Sequence, residues 1–467
     1  MNEIEKLMNT KKTENGDKAY KTTGNNLTDL FFMTPYFEKN LGQVKIGTSE
    51  KEKLFAMFIR DPRFGLGRRD LGRELMKQAE VPFYDIALAG RYDDLWHIPT
   101  DENLNYFRTK LNEGDELAKK WAPRLTGKDK RIAKALCKIW EISEKEYREL
   151  IKTDSTTEYK LSYAEAVDDV SPLNELFHRY VYEHPLVEKI DFEKVPSLAM
   201  TKYLHTFSTR EDLKERFAEY IKAVKEDKAK IKTTTTNVYD GYKTATRSCD
   251  WTTQEVEEEA REVVAKKIVE DAVVDVEMNA IVILDTSGSM GYFDGGLPRK
   301  GCNMEKAMSL AYALSIKSTY APNQLISFSS RPKLMTIKGD TMKAKYKSMY
   351  TGDCSNTDFG AVMKLLQGLK KYPEYLIVLS DMEFDYGSHQ SKEETMRIFK
   401  AYGAETKIIW WNLNDRNKTV PEFDEYGNIY LSGYNIQILK LLENKFDMST
   451  YIDKILEKYR KDVYKLK

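Results

Sequence analysis

The stretch Asn279-Ala-Ile-Val-Ile-Leu-Asp-Thr-Ser-Gly-Ser-Met290 decides the fold. Ala280 to Leu284 is an unbroken, branched apolar run with the length of a strand buried on both faces, the habit of a parallel sheet wrapped by helices. Asp285, Ser287 and Ser289 then fall on the loop at the strand's carboxyl end, where open α/β sheets bind their ligands. Three oxygen side chains on one tight loop, with Gly288 permitting the turn, suit a hard cation, Mg²⁺ or Mn²⁺.

Two later segments supply oxygens in comparable places. Tyr375-Leu-Ile-Val-Leu-Ser-Asp381 is a second buried-strand run ending in an acid, and Cys354-Ser-Asn-Thr-Asp358 is a polar loop ahead of a helical pattern through Val362, Leu365, Leu366 and Leu369. Helix and strand patterns alternate around them, with strands predicted at 324–329, 334–338, 406–412 and 428–431 and helices at 304–318, 357–371 and from Asn435 and Ser449. The glycine-rich segment 291–300 reads as a flexible cover. Taken singly, Asp285 also reads as a helix cap and Asp381 as an ordinary strand-end acid. In this order the elements resemble the metal-ion-dependent adhesion site (MIDAS) of von Willebrand factor A domains. The resemblance implies that Asp285, Ser287, Ser289, Thr357 and Asp381 surround one Mg²⁺. The hydroxyls would ligate directly and the acids largely through water, leaving one position for an acidic ligand.

Composition narrows the classes. With 467 residues, 41% hydrophobic and 12% aromatic, the chain is long enough for two or three domains with sizeable cores. No apolar run approaches the ~20 residues of a membrane span, and the amino terminus, Met-Asn-Glu-Ile-Glu-Lys, is unlike a signal peptide, so a cytoplasmic location is expected. Cys137, Cys249, Cys302 and Cys354 lack metal or disulfide spacing and read as plain thiols. Lys plus Arg equals Asp plus Glu at 74 each, so contact with a polyanion depends on local patches.

Residues 1–26 are polar and read as a flexible arm; from Leu27 to 275 the pattern is a succession of short helices broken by turn signals, the grammar of a helical-repeat (HEAT-like) solenoid without a countable period. Two stretches concentrate positive charge. In Arg60-Asp-Pro-Arg-Phe-Gly-Leu-Gly-Arg-Arg-Asp-Leu-Gly-Arg73, five arginines sit around glycine turns; Arg60, Arg63, Arg68 and Arg69 read either as phosphate contacts or as inter-helix salt bridges. Between Lys119 and Lys138, Lys119, Lys120, Arg124, Lys128, Lys130 and Arg131 are the first six of eight basic residues set against Asp129 alone. With Trp121 among them this reads either as a single-stranded RNA surface or as a solvated helix face with Trp121 in the core. Thr252-Thr-Gln-Glu255 is a capping-box signature opening a helix that leads into the metal-site strand.

The phrases Ile59-Arg-Asp-Pro-Arg-Phe-Gly-Leu-Gly-Arg-Arg-Asp70 and Ala89-Gly-Arg-Tyr-Asp-Asp-Leu-Trp96 resemble the helical-repeat (TROVE) module of Ro ribonucleoproteins. Ile409-Trp-Trp-Asn-Leu-Asn414 and Leu431-Ser-Gly-Tyr-Asn-Ile-Gln-Ile-Leu-Lys-Leu-Leu442 resemble Ro-like proteins of unknown function in plants, fungi and viruses. The expected fold is α plus α/β: an all-α helical-repeat domain over 27–275, whose closure into a ring, as in Ro proteins, stays open, then a doubly wound, Rossmann-like parallel-sheet von Willebrand A domain over 276–467. The resemblance implies a monomeric, non-catalytic protein binding small structured, defective or single-stranded non-coding RNA. The competing expectation is an intracellular scaffold whose Mg²⁺ accepts an acidic side chain of a partner protein. Phosphoryl transfer is not expected, because the chain has no phosphate-binding G-x-x-x-x-G-K-[ST] loop and Asp285-Thr-Ser lacks the second acid of aspartyl-phosphate hydrolases.

Overall fold

A computed structural model describes residues 10–12, 18–20, 25–152, 190–233, 236–247, 255–273, 277–352, 358–368, 372–381, 397, 400, 405–413, 422–423, 429–432, 434 and 448–465. The chain divides into two compact units, one of residues 1–36 with 236–452 and one of residues 37–235 with 453–467.

The first unit is built on a seven-stranded sheet of β1 (Ala280–Asp285), β2 (Gln324–Phe328), β3 (Lys333–Thr336), β4 (Tyr375–Ser380), β5 (Lys407–Asn412), β6 (Glu422–Phe423) and β7 (Ile429–Ser432). Their order is β6-β7-β5-β4-β1-β2-β3. The five central strands are parallel, while β3 and β6 close the edges antiparallel. The sheet is thus parallel-dominated, and at its β3 edge Lys333, Leu334 and Thr336 are exposed, because an antiparallel edge tolerates water where a parallel strand does not. In β1 and β4 every residue is buried, as the continuous apolar runs predict. Ile281 and Ile283 point to one face, where they join Leu376, Val378, Ile408 and Trp410 beneath Phe359, Val362, Met363 and Leu366 of the helix Phe359–Gln367. Their alternates Val282 and Leu284 point to the other face. The almost wholly buried helix Asn303–Ser315 packs against β1.

From β1 the chain runs through β2 and β3 toward one edge, then returns to lay β4 on the other side of β1 and continues through β5 to β7. The switch point therefore lies between the carboxyl ends of β1 and β4, the place where an open sheet leaves a crevice.

Several expectations need correction here. The polar arm contains a short antiparallel pair, Thr10–Lys12 with Lys18–Tyr20, and the helix Asn26–Phe32 is capped by Asn25, whose side chain accepts from Leu27 and Thr28 N. Segment 291–300 is no formless cover: Phe293–Asp294 pairs with Leu297–Pro298 across Gly295-Gly296, both at positive φ as a tight hairpin turn requires. Helices Val238–Thr246 and Glu255–Ala272, read as the end of the helical half, pack on each other and on the 303–315 and Met342–Ser348 helices within the sheet unit. Gly241 makes this possible, since a Cβ there would lie 2.8 Å from Val269. The Thr252 capping signature and the helix from Asn435 lie outside the described residues.

The second unit is helical: Glu50–Arg60, Arg69–Gln78, Phe83–Ala89, Tyr92–His97, Asp101–Asn112, Glu116–Lys120, Lys130–Ile139, Glu144–Leu150, Ser197–Thr209 and Lys214–Lys225 are its principal helices among the described residues. Four of them end alike, with a residue at positive φ and a bond from the next amide back to the last turn: Val81 N to Met76 O, Asp115 N to Lys110 O, Ile142 N to Cys137 O and Lys228 N to Ala223 O. This is the Schellman arrangement. The left-handed residue is Gly114 in one case but Glu80, Glu141 and Asp227 in the others, so no glycine marks the repeat in the sequence. The carboxyl end of helix Met448–Tyr464, predicted as part of the sheet domain, belongs to this unit: Tyr459 donates to Asp61 (3.3 Å) and Tyr464 to Asp85 (3.2 Å).

Candidate metal centre and cationic surface

β1 and β4 carry their terminal oxygens to the switch point. Register pairs Leu284 with Leu379, which sets Asp285 beside Ser380. The Asp285 carboxylate is fully buried; Oδ1 accepts from Ser287 N (2.9 Å) and Oδ2 from the Ser380 hydroxyl. Ser287 and Ser289 Oγ lie 3.1 Å apart, and Ser289 Oγ donates to Asp381 Oδ1 at 3.3 Å. Four predicted ligands, Asp285, Ser287, Ser289 and Asp381, thus meet around one point; Thr357 lies outside the described residues.

The donor set fits a small hard cation. Octahedral Mg²⁺ with oxygens at 2.0–2.1 Å places neighbouring ligands about 2.9 Å apart, close to the 3.1 and 3.3 Å spacings of these side chains. Electrostatics agree. Burial pushes the Asp285 carboxyl up to about 7, with Asp381 acting in the same direction and the bonds from Ser380 and Ser287 opposing them. A buried carboxyl raised by desolvation, with a second acid beside it, is one whose ionised form a neighbouring cation stabilises. Ser380 was not predicted as a site residue; its signal was its place on β4 immediately before Asp381.

The basic residues separate into interior and surface. Arg60 is interior, 3% exposed, with Nη2 2.8 Å from Asp94 Oδ2, out of line for a hydrogen bond but close enough to pair charges. The inter-helix salt bridge, not the phosphate contact, is therefore the reading that holds for Arg60. Arg73 joins it, reaching Asp94 at 2.5 Å and Asp93 at 2.9 Å, and Arg91 reaches Asp93 at 3.0 Å. The two phrases around Arg60 and Arg91 meet in this network, and their glycines let them do so: a Cβ on Gly72 would lie 2.6 Å from Arg60 Cα, and one on Gly90 2.0 Å from Asp94 Oδ2. Arg63 is half-exposed but braced by Asp61 and the Leu88 carbonyl, and Arg68 pairs with Glu38 at 3.3 Å. Arg69 is exposed.

In the second stretch Lys119 is tied to Glu116 at 2.8 Å and Arg124 to the Ile151 carbonyl at 3.3 Å. Lys120 is partly buried, and burial followed by Arg91 lowers its pKa. Lys128, Lys130, Arg131 and Lys138 are exposed and make no ion pair among the described residues, so the turn Gly127–Asp129 and the helix Lys130–Ile139 present unpaired positive charge to solvent. Trp121 is neither a bare stacking face nor core: the Arg91 guanidinium lies 3.9 Å from its ring centroid and Lys120 Nζ 5.0 Å.

Comparison with known proteins gives two family matches, whose bounds differ from those of the two compact units. Residues 279–465 match a domain of unknown function, DUF7788, and residues 102–271 another, DUF2828. The uncharacterized protein L728 of Acanthamoeba polyphaga mimivirus is 24% identical over 520 residues, spanning 96% of this chain and 87% of that protein. Among solved structures, the Ro (RSR) protein of Deinococcus radiodurans aligns over 91% of this chain and 94% of its own, at a TM-score of 0.46 and 12% identity. An aerotolerance-related membrane protein from Bacteroides fragilis aligns over 39% of this chain and 98% of its own, at a TM-score of 0.22 and 14% identity. Among the described residues, no helix of this chain is long and apolar enough to cross a membrane.

Proposed function

We propose that this chain is a non-catalytic RNA-binding protein of Ro type, whose helical unit takes small structured or defective non-coding RNA and whose sheet unit holds a Mg²⁺ or Mn²⁺ ion. The observation that carries the RNA reading is the solvent-facing set Lys128, Lys130, Arg131 and Lys138, which lacks carboxylate partners among the described residues of an otherwise charge-balanced protein. Unpaired surface cations in a neutral protein are what a local polyanion contact needs. Asp285, Ser287, Ser289 and Asp381 would hold the cation, which when bound supplies a Lewis-acidic position for an anionic ligand. The protein's own part is to present hydroxyls and carboxylates at fixed spacing and to keep Asp285 dry. Binding of a labelled single strand across a salt series, for the parent and for Lys128, Lys130 and Arg131 reversed to Glu, tests the reading; equal affinity in both removes its basis.

The second reading, a scaffold whose cation accepts an acidic side chain of a partner protein, is favoured by Tyr292. This residue stands two positions past Met290 in the chain, on the segment that follows the metal-site loop, and is 68% exposed.

A further inference from the structure

We propose that Arg69, Arg91 and Lys120 form a phosphate-binding site on the helical unit, backed by the buried Arg60, Arg73, Asp93 and Asp94 network. The inference rests on the RNA reading only for the origin of the phosphate.

Arg91 and Lys120 are held against one indole, while Arg69 stands exposed within electrostatic reach of Arg91. Arg91 is fixed on one side by stacking at 3.9 Å on Trp121 and at Nη2 by Asp93 Oδ2, while its Nε is buried without a hydrogen-bond partner. Trp121 is anchored in turn, its carbonyl accepting from Trp96 Nε1 at 3.0 Å. Lys120 lies on the same indole. Side chains immobilised by packing lose little further entropy on meeting a ligand, which is how a binding shell is preorganised.

Charge then decides what the ligand is. Three guanidinium groups, Arg60, Arg73 and Arg91, share two carboxylates, Asp93 and Asp94. Arg69 and Lys120, which make no ion pair among the described residues, add two more positive charges near Arg91. Counting these seven side chains, three positive charges remain uncompensated. Burial first, and neighbouring cations after it, lower the pKa of both Arg91 and Lys120, and a bound anion offsets the part that the cations contribute. A phosphate suits the site better than a carboxylate, because it offers at least two charged oxygens plus further acceptors to cations approaching from different directions, and arginine recognises it by paired bonds.

The test uses the full chain at low salt with two probes, tripolyphosphate followed by thermal shift and a labelled oligouridylate followed by anisotropy. Arg69→Gln combined with Lys120→Gln spares the buried network, and a reversal of Lys128, Lys130 and Arg131 to Glu serves as the comparison. Tripolyphosphate should raise the parent's melting temperature, and the double variant should bind it at least about tenfold more weakly; competition between the two probes would identify an RNA phosphate as the occupant. Tripolyphosphate binding without any RNA binding would keep the site, assign it to free phosphates and remove the RNA reading. No tripolyphosphate shift in the parent, or an equal shift in parent and double variant, would overturn the site, whatever the RNA result.

Discussion

Ser289 Oγ lies 3.3 Å from Asp381 Oδ1, joining the loop after β1 to the end of β4 across 92 positions of sequence. Because β1 and β4 flank the switch point, this one contact sets the span of the candidate metal centre and leads to its most direct test. Mg²⁺ at 100 times its Kd should stabilise the folded protein by about 2.7 kcal/mol. The pH dependence has a definite sign. The Asp285 carboxyl is raised from its ordinary 3.8 to about 7, so the metal-free protein loses stability as pH rises through that window, and a cation, which binds the ionised form, should stabilise more at pH 8 than at pH 6. Differential scanning fluorimetry with chelator or Mg²⁺ at both pH values checks this. Identical curves throughout, with Asp285→Asn indistinguishable from the parent, would remove the metal centre.

What could be read from the sequence was what local pattern encodes. Ala280–Leu284 and Tyr375–Ser380 announce buried strands because a strand covered on both faces has no polar alternate to confuse the period, and the oxygens at their ends follow from topology. Less legible was everything set by distant partners. Arg60 and Lys128 look alike in the sequence, yet one is buried against Asp94 and the other exposed, a difference decided by Gly72 letting two helices approach. The destination of Tyr459, which meets Asp61 across 398 positions, is likewise invisible to periodicity.

The Arg60–Asp94 contact yields a stability prediction. Both side chains are essentially inaccessible, at 3% and 0%, so Asp94→Ala strands a buried guanidinium and also removes the acceptor of Arg91 N. The expected cost is about 3–5 kcal/mol. Urea denaturation measures it. A loss below 1 kcal/mol would mean that water or another carboxylate replaces Asp94.

Glu80, Glu141 and Asp227 each hold a left-handed backbone at φ 53–55° where the repeat grammar calls for glycine. An L side chain there costs about 1–2 kcal/mol, of which glycine's larger unfolded-state entropy returns about 0.5–1. Each change to Gly should therefore stabilise by roughly 0.5 kcal/mol, and the three together should add, being far apart in the chain. Thermal melts of the triple variant decide it; a lower melting temperature would show that these side chains make contacts worth more than the strain.

The last prediction concerns the exposed face of the helix 130–139. If Lys128, Lys130 and Arg131 meet phosphates, each contact releases a counterion, and the affinity for a single strand falls with salt at a log-log slope of roughly −0.7 per contact. Reversing all three to Glu should weaken binding at low salt and flatten the slope by about 2. The Mg²⁺ response should stay intact, because Asp285, Ser287, Ser289 and Asp381 lie in the other compact unit. Fluorescence anisotropy of a labelled strand from low to physiological salt gives both quantities in one series. An unchanged slope would make these residues a solvated helix face, and no binding by the parent at low salt would favour the scaffold reading, in which the cation takes a partner's carboxylate.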